Sequence, residues 1–365
     1  MGFTTENIKK ILIIKLAAIG DIMFASPLAF NLKKDFPEAE IHWLGDSWTK
    51  DTLKHIPNID KLVFFDRPWF KSRIRGYLEI PRLLRKLRAQ NYDLAIIAHR
   101  SPLAMRLAKL SNAKIKVGFV ENGSNKYLDF SVKYDNSKHE VERNLDLLRA
   151  LNLKIHNNRM IYEIDPSALS NMKEKYFNEK ANGIVCIAPG GGKNPGLNMP
   201  LKKWPKERYA DLAKELAEKG VRILLLGSKD DEDVCDFIAQ RVQVKNLCSK
   251  TSLEESAALI KLADLYIGND SGPLYIAAAV GTPTLGIFGP TDPKLLAPSG
   301  KNNTFVLNKV DCAPCYRPDQ TVQGEYAKCK HDHVCMTNLS VEKVFKRAIE
   351  LFEVSDEIAS SPAVP

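Results

Sequence analysis

Asp270, Ser271 and Gly272, with Asn269 before them and Pro273 after, are the residues of this chain whose spacing says most about chemistry. They follow an apolar run, Leu262 to Ile267, that reads as a buried strand, and they precede Leu274 to Val280, which reads as a helix with small alanines close to a sheet. A strand that turns through small polar residues into a helix points free backbone N–H groups, and the positive end of the helix dipole, at one spot. That spot suits a diphosphate. Thr284 to Phe288 form the next short apolar strand, and Gly289, Pro290 and Thr291 a second turn at the same sheet edge. Two such turns describe a nucleotide pocket at the carboxyl ends of parallel strands. An ordinary βαβ crossover without a ligand would show the same pattern.

Other residues read as chemistry at strand ends. Asp21, in KLAAIGDIMFASPLA, stands at the carboxyl end of the first strand and could take a proton from a hydroxyl nucleophile. Its bland reading is a helix cap, a common place for Asp. Gly190 and Gly191, within PGGGK, let backbone approach a ligand or allow a turn, and the spacing is not that of a P-loop. Lys202, before Lys203-Trp204-Pro205, could neutralise a diphosphate or be solvated. Asp231, after the strand ending Leu226-Gly227, is placed to bind ribose hydroxyls. The DxD formed with Asp233 is discounted as a metal site, because acids favour a helix start.

These residues need a frame, and the apolar runs supply one. Strands are expected near Ile11–Leu16, Glu40–Leu44, Leu62–Phe65, Leu94–Ala98 and Lys114–Phe119, and helices over Ile22–Asp35, Leu78–Gln90 and Glu140–Leu151. Ala17 to Asp21 reads as a tight turn and Met160 to Ile164 as a connecting strand. The pattern then restarts with strands at Ile184–Ala188 and Val221–Leu226, and helices over Pro205–Lys219, Asp230–Arg241 and Leu253–Lys261. Such alternation is the signature of parallel α/β sheets. The fold expected is α/β: two Rossmann-like domains facing each other across a cleft. Residues 1–165 form the first and 166–340 the second, a helix over 341–354 can cross back over the first, and 355–365 form a disordered tail.

Bulk properties narrow the function. The chain has 365 residues, 44% hydrophobic and 27% charged, as in a soluble globular protein. The stretch Ile11 to Phe24 is broken by Lys15 and Asp21 and reads as strand and turn, which predicts a cytoplasmic protein. Net charge is +9, which favours anionic partners. The basic stretch includes Arg73, Arg75, Arg82 and Arg85, interleaved with aromatics and leucines. It suits a membrane interface or a phosphorylated lipid, or else forms a solvated face. No aromatic stacking surface argues for nucleic acid. Of seven cysteines, Cys312, Cys315, Cys329 and Cys335 cluster and could hold one structural zinc, or remain thiols.

Four motifs carry a resemblance: KLAAIGDIMFASPLA, the PGGG…LKKWPKERYADLA block, LLLGSKDDE and GNDSGPLYIAAAVGTPTLGIFGPTDP. Together they resemble glycosyltransferase family 9, the heptosyltransferases of lipopolysaccharide core assembly, over about residues 9 to 350. The resemblance implies a GT-B fold and an inverting, metal-independent transfer of heptose from ADP-heptose to a lipid-linked acceptor at the inner membrane. By position it implies Asp21 as base, Lys202 at the donor diphosphate, Asp231 near the ribose, and Asp270, Ser271, Gly272 and Pro273 as the phosphate turn. The family usually has His where this chain has Tyr275. Tyr donates a hydrogen bond without a positive charge, so the donor could be held less tightly or differ. The rival readings are a GT-B transferase using another nucleotide sugar and a binding protein that kept the fold without turnover.

Overall fold

The computed structural model describes residues 7–66, 73–121, 125–178, 181–195, 197–316 and 329–360, with backbone alone at 73–78, 197 and 353–360. The chain divides into two compact units, Met1–Glu163 and Ile164–Pro365.

In the first unit, strands β1 (Lys10–Ile14), β2 (Glu40–Gly45), β3 (Lys61–Phe64), β4 (Leu94–Ile97), β5 (Ile115–Val120) and β6 (Phe130–Lys133) form one sheet in the order β3-β2-β1-β4-β5-β6. Every pairing is parallel. Ile11 to Ile14 are fully buried, because helices cover both faces of a parallel sheet and no alternation with polar residues is needed. The helices are α1 (Ile19–Ala25), α2 (Pro27–Asp35), α3 (Lys50–Leu53), α4 (Arg73–Arg88), α5 (Pro102–Leu110) and α6 (Glu140–Arg149). Strand order reverses between β1 and β4. Their carboxyl ends therefore flank the switch point at which such sheets bind ligands.

Two local features depart from the sequence reading. The single helix expected from Ile22 to Asp35 is two, and the expected turn over Ala17–Asp21 already contains the start of α1. Pro27 cannot donate to the preceding turn. Ser26 Oγ instead donates to Met23 O at 2.8 Å and accepts from Ile161 N at 2.9 Å. Met160 to Ile164 forms no strand; Glu163 N donates to His55 O at 2.8 Å and Glu163 O lies 2.9 Å from His55 Nδ1, a local two-bond tie.

The second unit repeats the plan. Strands β7 (Ile184–Ala188), β10 (Arg222–Leu225), β11 (Lys245–Asn246), β12 (Leu265–Asn269), β13 (Thr284–Phe288) and β14 (Asn303–Leu307) form a parallel sheet ordered β11-β10-β7-β12-β13-β14. A two-stranded hairpin, β8 (Lys193–Asn194) and β9 (Leu197–Asn198), follows β7. The helices are α7 (Pro166–Tyr176), α8 (Lys206–Glu218), α9 (Glu232–Ala239), α10 (Leu253–Leu262), α11 (Gly272–Ala279), α12 (Pro293–Leu296), α13 (Val334–Thr337) and α14 (Val341–Ser360). Here the order reverses between β7 and β12.

The last helix packs on the second unit. Its apolar face, Val344, Ala348 and Leu351, belongs to that unit's core with Leu212 and Leu216 of α8. It also runs to Ser360, beyond the start of the expected tail, because 355–360 contains neither Gly nor Pro to stop it. Residues 361–365 lie outside the described residues. Val344→Ala should lower stability by about 1–3 kcal/mol through a cavity under the sheet. An unchanged urea midpoint would show that α14 is not part of this core.

Candidate active site

The second unit's switch point is built around two adjacent side chains at the end of β12. Asn269 is 1% exposed and makes four hydrogen bonds. Its Oδ1 accepts from Trp204 N at 3.1 Å and from Tyr209 Oη at 3.0 Å. Its Nδ2 donates to Pro189 O at 2.9 Å and Gly190 O at 3.0 Å. One amide thus ties the glycine loop after β7 to the loop that enters α8. Sequence reasoning placed Asn269 in the turn but did not see this bracing role; its partners lie 60 or more residues away in the chain.

Asp270 is also buried, and its carboxylate is the electrostatic centre. Lys202 Nζ donates to Oδ2 at 2.7 Å, and the Tyr275 hydroxyl donates to Oδ1. Burial alone would push this carboxyl up. The Lys202 charge, with the hydrogen bonds from Lys202 and Tyr275 and with Thr291 beside it, outweighs burial and holds it below the usual carboxylate range. Lys202 closes the short 3-10 turn Pro200–Lys202, and its Nζ lies 5.3 Å from the centre of the Tyr316 ring. The sequence-predicted Lys202, Asp270 and Tyr275 are therefore one network.

Ser271 caps α11 by position, yet its side chain makes no cap hydrogen bond. Its Oγ is buried without a hydrogen-bond partner, while the buried Thr291 hydroxyl stands beside the Asp270 carboxylate. Gly272 opens the helix and Pro273, at its first turn, has no N–H to satisfy. An orphaned hydroxyl and a helix start beside a lysine form a donor set that suits a phosphate group.

The glycine loop is shaped by close approach. A Cβ at Gly190 would stand 2.0 Å from Asp231 Oδ1, and one at Gly191, whose φ is +97°, would stand 2.6 Å from Ser271 Cβ. Asp231 is 7% exposed, and its oxygens accept from Gly191 N at 3.1 Å and from Ser228 N and Oγ at 3.1 and 2.9 Å. Lys203 Nζ lies 3.6 Å away. Asp231 thus braces the loop that borders Ser271.

In the first unit, Asp21 is half-buried at the third position of α1, beside the β1 end of the switch point. Its Oδ2 accepts from Ala18 N at 3.3 Å. The capping role and a place at the functional edge coexist in this residue. Arg82 and Arg85 are exposed on α4, whereas the side chains of Arg73 and Arg75 lie outside the described residues.

The structural zinc expected at Cys312, Cys315, Cys329 and Cys335 is not supported. All four are free cysteines, and among the described residues no group of three or more His, Cys, Asp or Glu is placed to hold a metal ion. Cys335 is buried, and its thiol is pushed up to about 11 by burial and by the other three sulfurs. It packs with Met336 under Gly289, where a Cβ would stand 2.4 Å from the Met336 sulfur. Also among the described residues, no helix is long and apolar enough to cross a membrane.

The sequence pattern of glycosyltransferase family 9 (heptosyltransferase) matches residues 80–325. The chain belongs to this family. The lipooligosaccharide heptosyltransferase 2 of Haemophilus influenzae is 28% identical over 316 residues, covering 81% of this chain and 88% of the relative. The lipopolysaccharide heptosyltransferase 3 of Escherichia coli is 29% identical over 286 residues, covering 75% and 80%. A solved family 9 glycosyltransferase from Veillonella parvula has a TM-score of 0.80 at 20% identity, covering 96% of this chain and 99% of that one. The E. coli ADP-heptose lipopolysaccharide heptosyltransferase II gives 0.74 at 20% identity, covering 95% and 99%. The protein is a glycosyltransferase with the two Rossmann-like α/β domains of the GT-B fold.

The Asp270–Lys202 pair makes stability depend on pH with a definite sign. The folded carboxyl titrates below its unfolded value of about 3.9, so its contribution is complete above that pH and is lost as pH falls through the folded value. In Lys202→Met, burial dominates and pushes the same carboxyl up. The stability deficit of this variant should therefore be largest near neutrality and shrink as pH falls toward about 4. Urea midpoints measured across that range check this; parallel profiles would mean that the pair does not stabilise the fold.

Proposed function

We propose that this glycosyltransferase moves a heptose from ADP-heptose to a saccharide of the lipopolysaccharide core, by an inverting displacement that needs no metal. The second unit is the donor domain and the first the acceptor domain. The observation that carries the reading is the buried Lys202–Asp270–Tyr275 network beside a helix start with the unpartnered Ser271 hydroxyl. That donor set fits a nucleoside diphosphate leaving group. The names of the relatives supply the sugar.

In this reading Asp21 takes the proton of the acceptor hydroxyl as its oxygen attacks the anomeric carbon. The bond to the diphosphate breaks on the opposite face. Lys202, the amides opening α11 and the hydroxyls of Ser271 and Thr291 meet the charge that develops on the departing phosphate. Gly190 and Gly191 let the backbone close on the donor, and Asp231 holds them in place.

The acceptor is lipid-linked and the enzyme works at the cytoplasmic face of the inner membrane. Support comes from α4 and the edge strand β3, which enclose a cavity of about 720 Å³ lined by Leu62, Phe64, Leu83 and Leu87, with Lys61 and Arg82 also in its wall. An apolar floor with basic neighbours suits an acyl chain and its phosphate.

Tyr275 favours a second reading, a different nucleotide sugar on the same scaffold, because the family's usual His is absent.

Asp21→Ala should fold normally, retain ADP binding, and lose transfer by roughly a hundredfold or more. Wild-type turnover with a lipopolysaccharide acceptor would end the general-base assignment. Separately, ADP-, UDP-, GDP- and CDP-sugars are compared by thermal shift, since only a ligand of the native state raises the melting point. ADP-heptose should give the largest shift, in wild type and in Tyr275→His. A larger shift with another sugar nucleotide would replace the donor assignment.

A further inference from the structure

The Lys202 ammonium is held from two sides. Its Nζ donates to Asp270 Oδ2 at 2.7 Å and lies over the face of the Tyr316 ring, 5.3 Å from the ring centre. Among the described residues no second group accepts a hydrogen bond from it. An ammonium has three N–H donors. One is on the carboxylate, and the other two have no acceptor among those residues. The Lys202 side chain is 15% exposed, so the charge is largely withdrawn from solvent.

Segments far apart in the chain bring the ring to this place. Cys315 N and Tyr316 N both donate to Pro290 O, at 3.0 and 2.8 Å. Pro290 sits in the turn after β13, between Gly289 and Thr291. Gly289 is packed against α13, where a Cβ would stand 2.4 Å from the Met336 sulfur and 3.2 Å from that of Cys335. Thr291, at the other end of the turn, stands beside the Asp270 carboxylate. One turn thus serves both members of the ion pair: it carries Thr291 to the acid and anchors Tyr316 at the lysine. Lys202 itself comes from a different loop, the 3-10 turn Pro200–Lys202.

The chemical type of the second holder matters. Another carboxylate would grip the ammonium and cancel the charge it can offer to an anion. An aliphatic side chain would leave the attraction to Asp270 alone. The face of an aromatic ring attracts a cation through its quadrupole and carries no net charge. The contact reaches to about 6 Å from the ring centre, so the cation can shift sideways without losing it.

We propose that Tyr316 is a positioning residue for transfer: its ring face and the Asp270 carboxylate hold Lys202 so that two N–H donors stay available to the donor diphosphate. The ring lets the ammonium turn from Asp270 toward the phosphate as charge grows there, and keeps it from swinging out to solvent. The inference rests on reading the second unit as the donor domain.

The test uses the full chain, ligand-free and with ADP as the probe. Tyr316→Phe keeps the ring and drops the hydroxyl, and Tyr316→Leu removes the ring. Pentafluorophenylalanine in place of Tyr316 keeps the shape but takes away the attraction of the face for a cation. Calorimetry should give an ADP affinity within about twofold of wild type for Tyr316→Phe, and one roughly three- to tenfold weaker for Tyr316→Leu and for the fluorinated ring. In ligand-free protein, the step from Tyr316→Phe to the fluorinated ring should lower the urea midpoint when Lys202 is present and leave it unchanged in Lys202→Met. Equal ADP affinity of these two rings overturns the proposal, whatever the midpoints show, because the ring then only fills space. A loss in Tyr316→Phe as large as in Tyr316→Leu also overturns it and moves the function to the hydroxyl. Failure of wild type to bind ADP would instead remove the donor reading and this role with it, while the urea comparison would still show whether the ring holds Lys202.

Discussion

A carboxylate buried at the start of a helix is the constraint around which the second unit's functional edge is arranged. Taking such a group out of water costs several kcal/mol unless a cation and hydrogen bonds replace the solvent. Asp270 obtains both, from Lys202 at 2.7 Å and from the Tyr275 hydroxyl. In return it fixes where those two side chains stand. Lys202 comes from a turn 68 residues earlier in the chain, and without a buried partner its flexible stem would sample many positions. The pair therefore works as positioning: the cation is held beside the opening amides of α11 before any ligand arrives.

That arrangement needs a backbone that does not yield, and Asn269 provides it. Its amide joins the loop after β7, the loop before α8 and the α8 hydroxyl of Tyr209. Asp231 performs the corresponding task on the other side, holding Gly191 and the Ser228 loop. The glycines between them serve close packing: at Gly190 any side chain would collide with the Asp231 carboxylate. Three loops from different strands are thereby locked into one rim at the β7/β12 switch point.

Much of this was legible in the sequence, and the part that was not has a physical reason. Apolar runs such as Ile11–Ile14 and Leu265–Ile267 announce buried parallel strands, and the Asn269–Pro273 turn announces the passage from β12 into α11. Ser101-Pro102 was a readable start for α5, since the Ser101 side chain accepts from Ala104 N and Pro102 fits the first turn. Strand β6 was missed because, at the sheet edge, FSVK is only half-buried. What no local pattern could give is partnership. Asn269 reads as a turn residue until Trp204 and Tyr209 are folded against it, and Tyr316 is one tyrosine among 11 until the turn at Pro290 brings it to Lys202.

Tyr275 illustrates how one such partnership sets the electrostatics. A histidine at this place, with an ordinary pKa of about 6.5, would be drawn toward its charged form by the buried carboxylate. Asp270 would then be shared between two cations. With tyrosine the hydroxyl stabilises the carboxylate without adding charge, and Asp270 neutralises Lys202 alone. On the proposed reading, a diphosphate entering the site would meet a locally neutral pair, and would share Lys202 with Asp270 rather than find an uncommitted charge. On that reading the remaining attraction would come from neutral groups: the amides that open α11 and the unpartnered hydroxyl of Ser271. Such dipoles need no counterion while the site is empty. They respond most to the oxygen on which charge grows, which is where a transferase gains rate rather than mere substrate affinity.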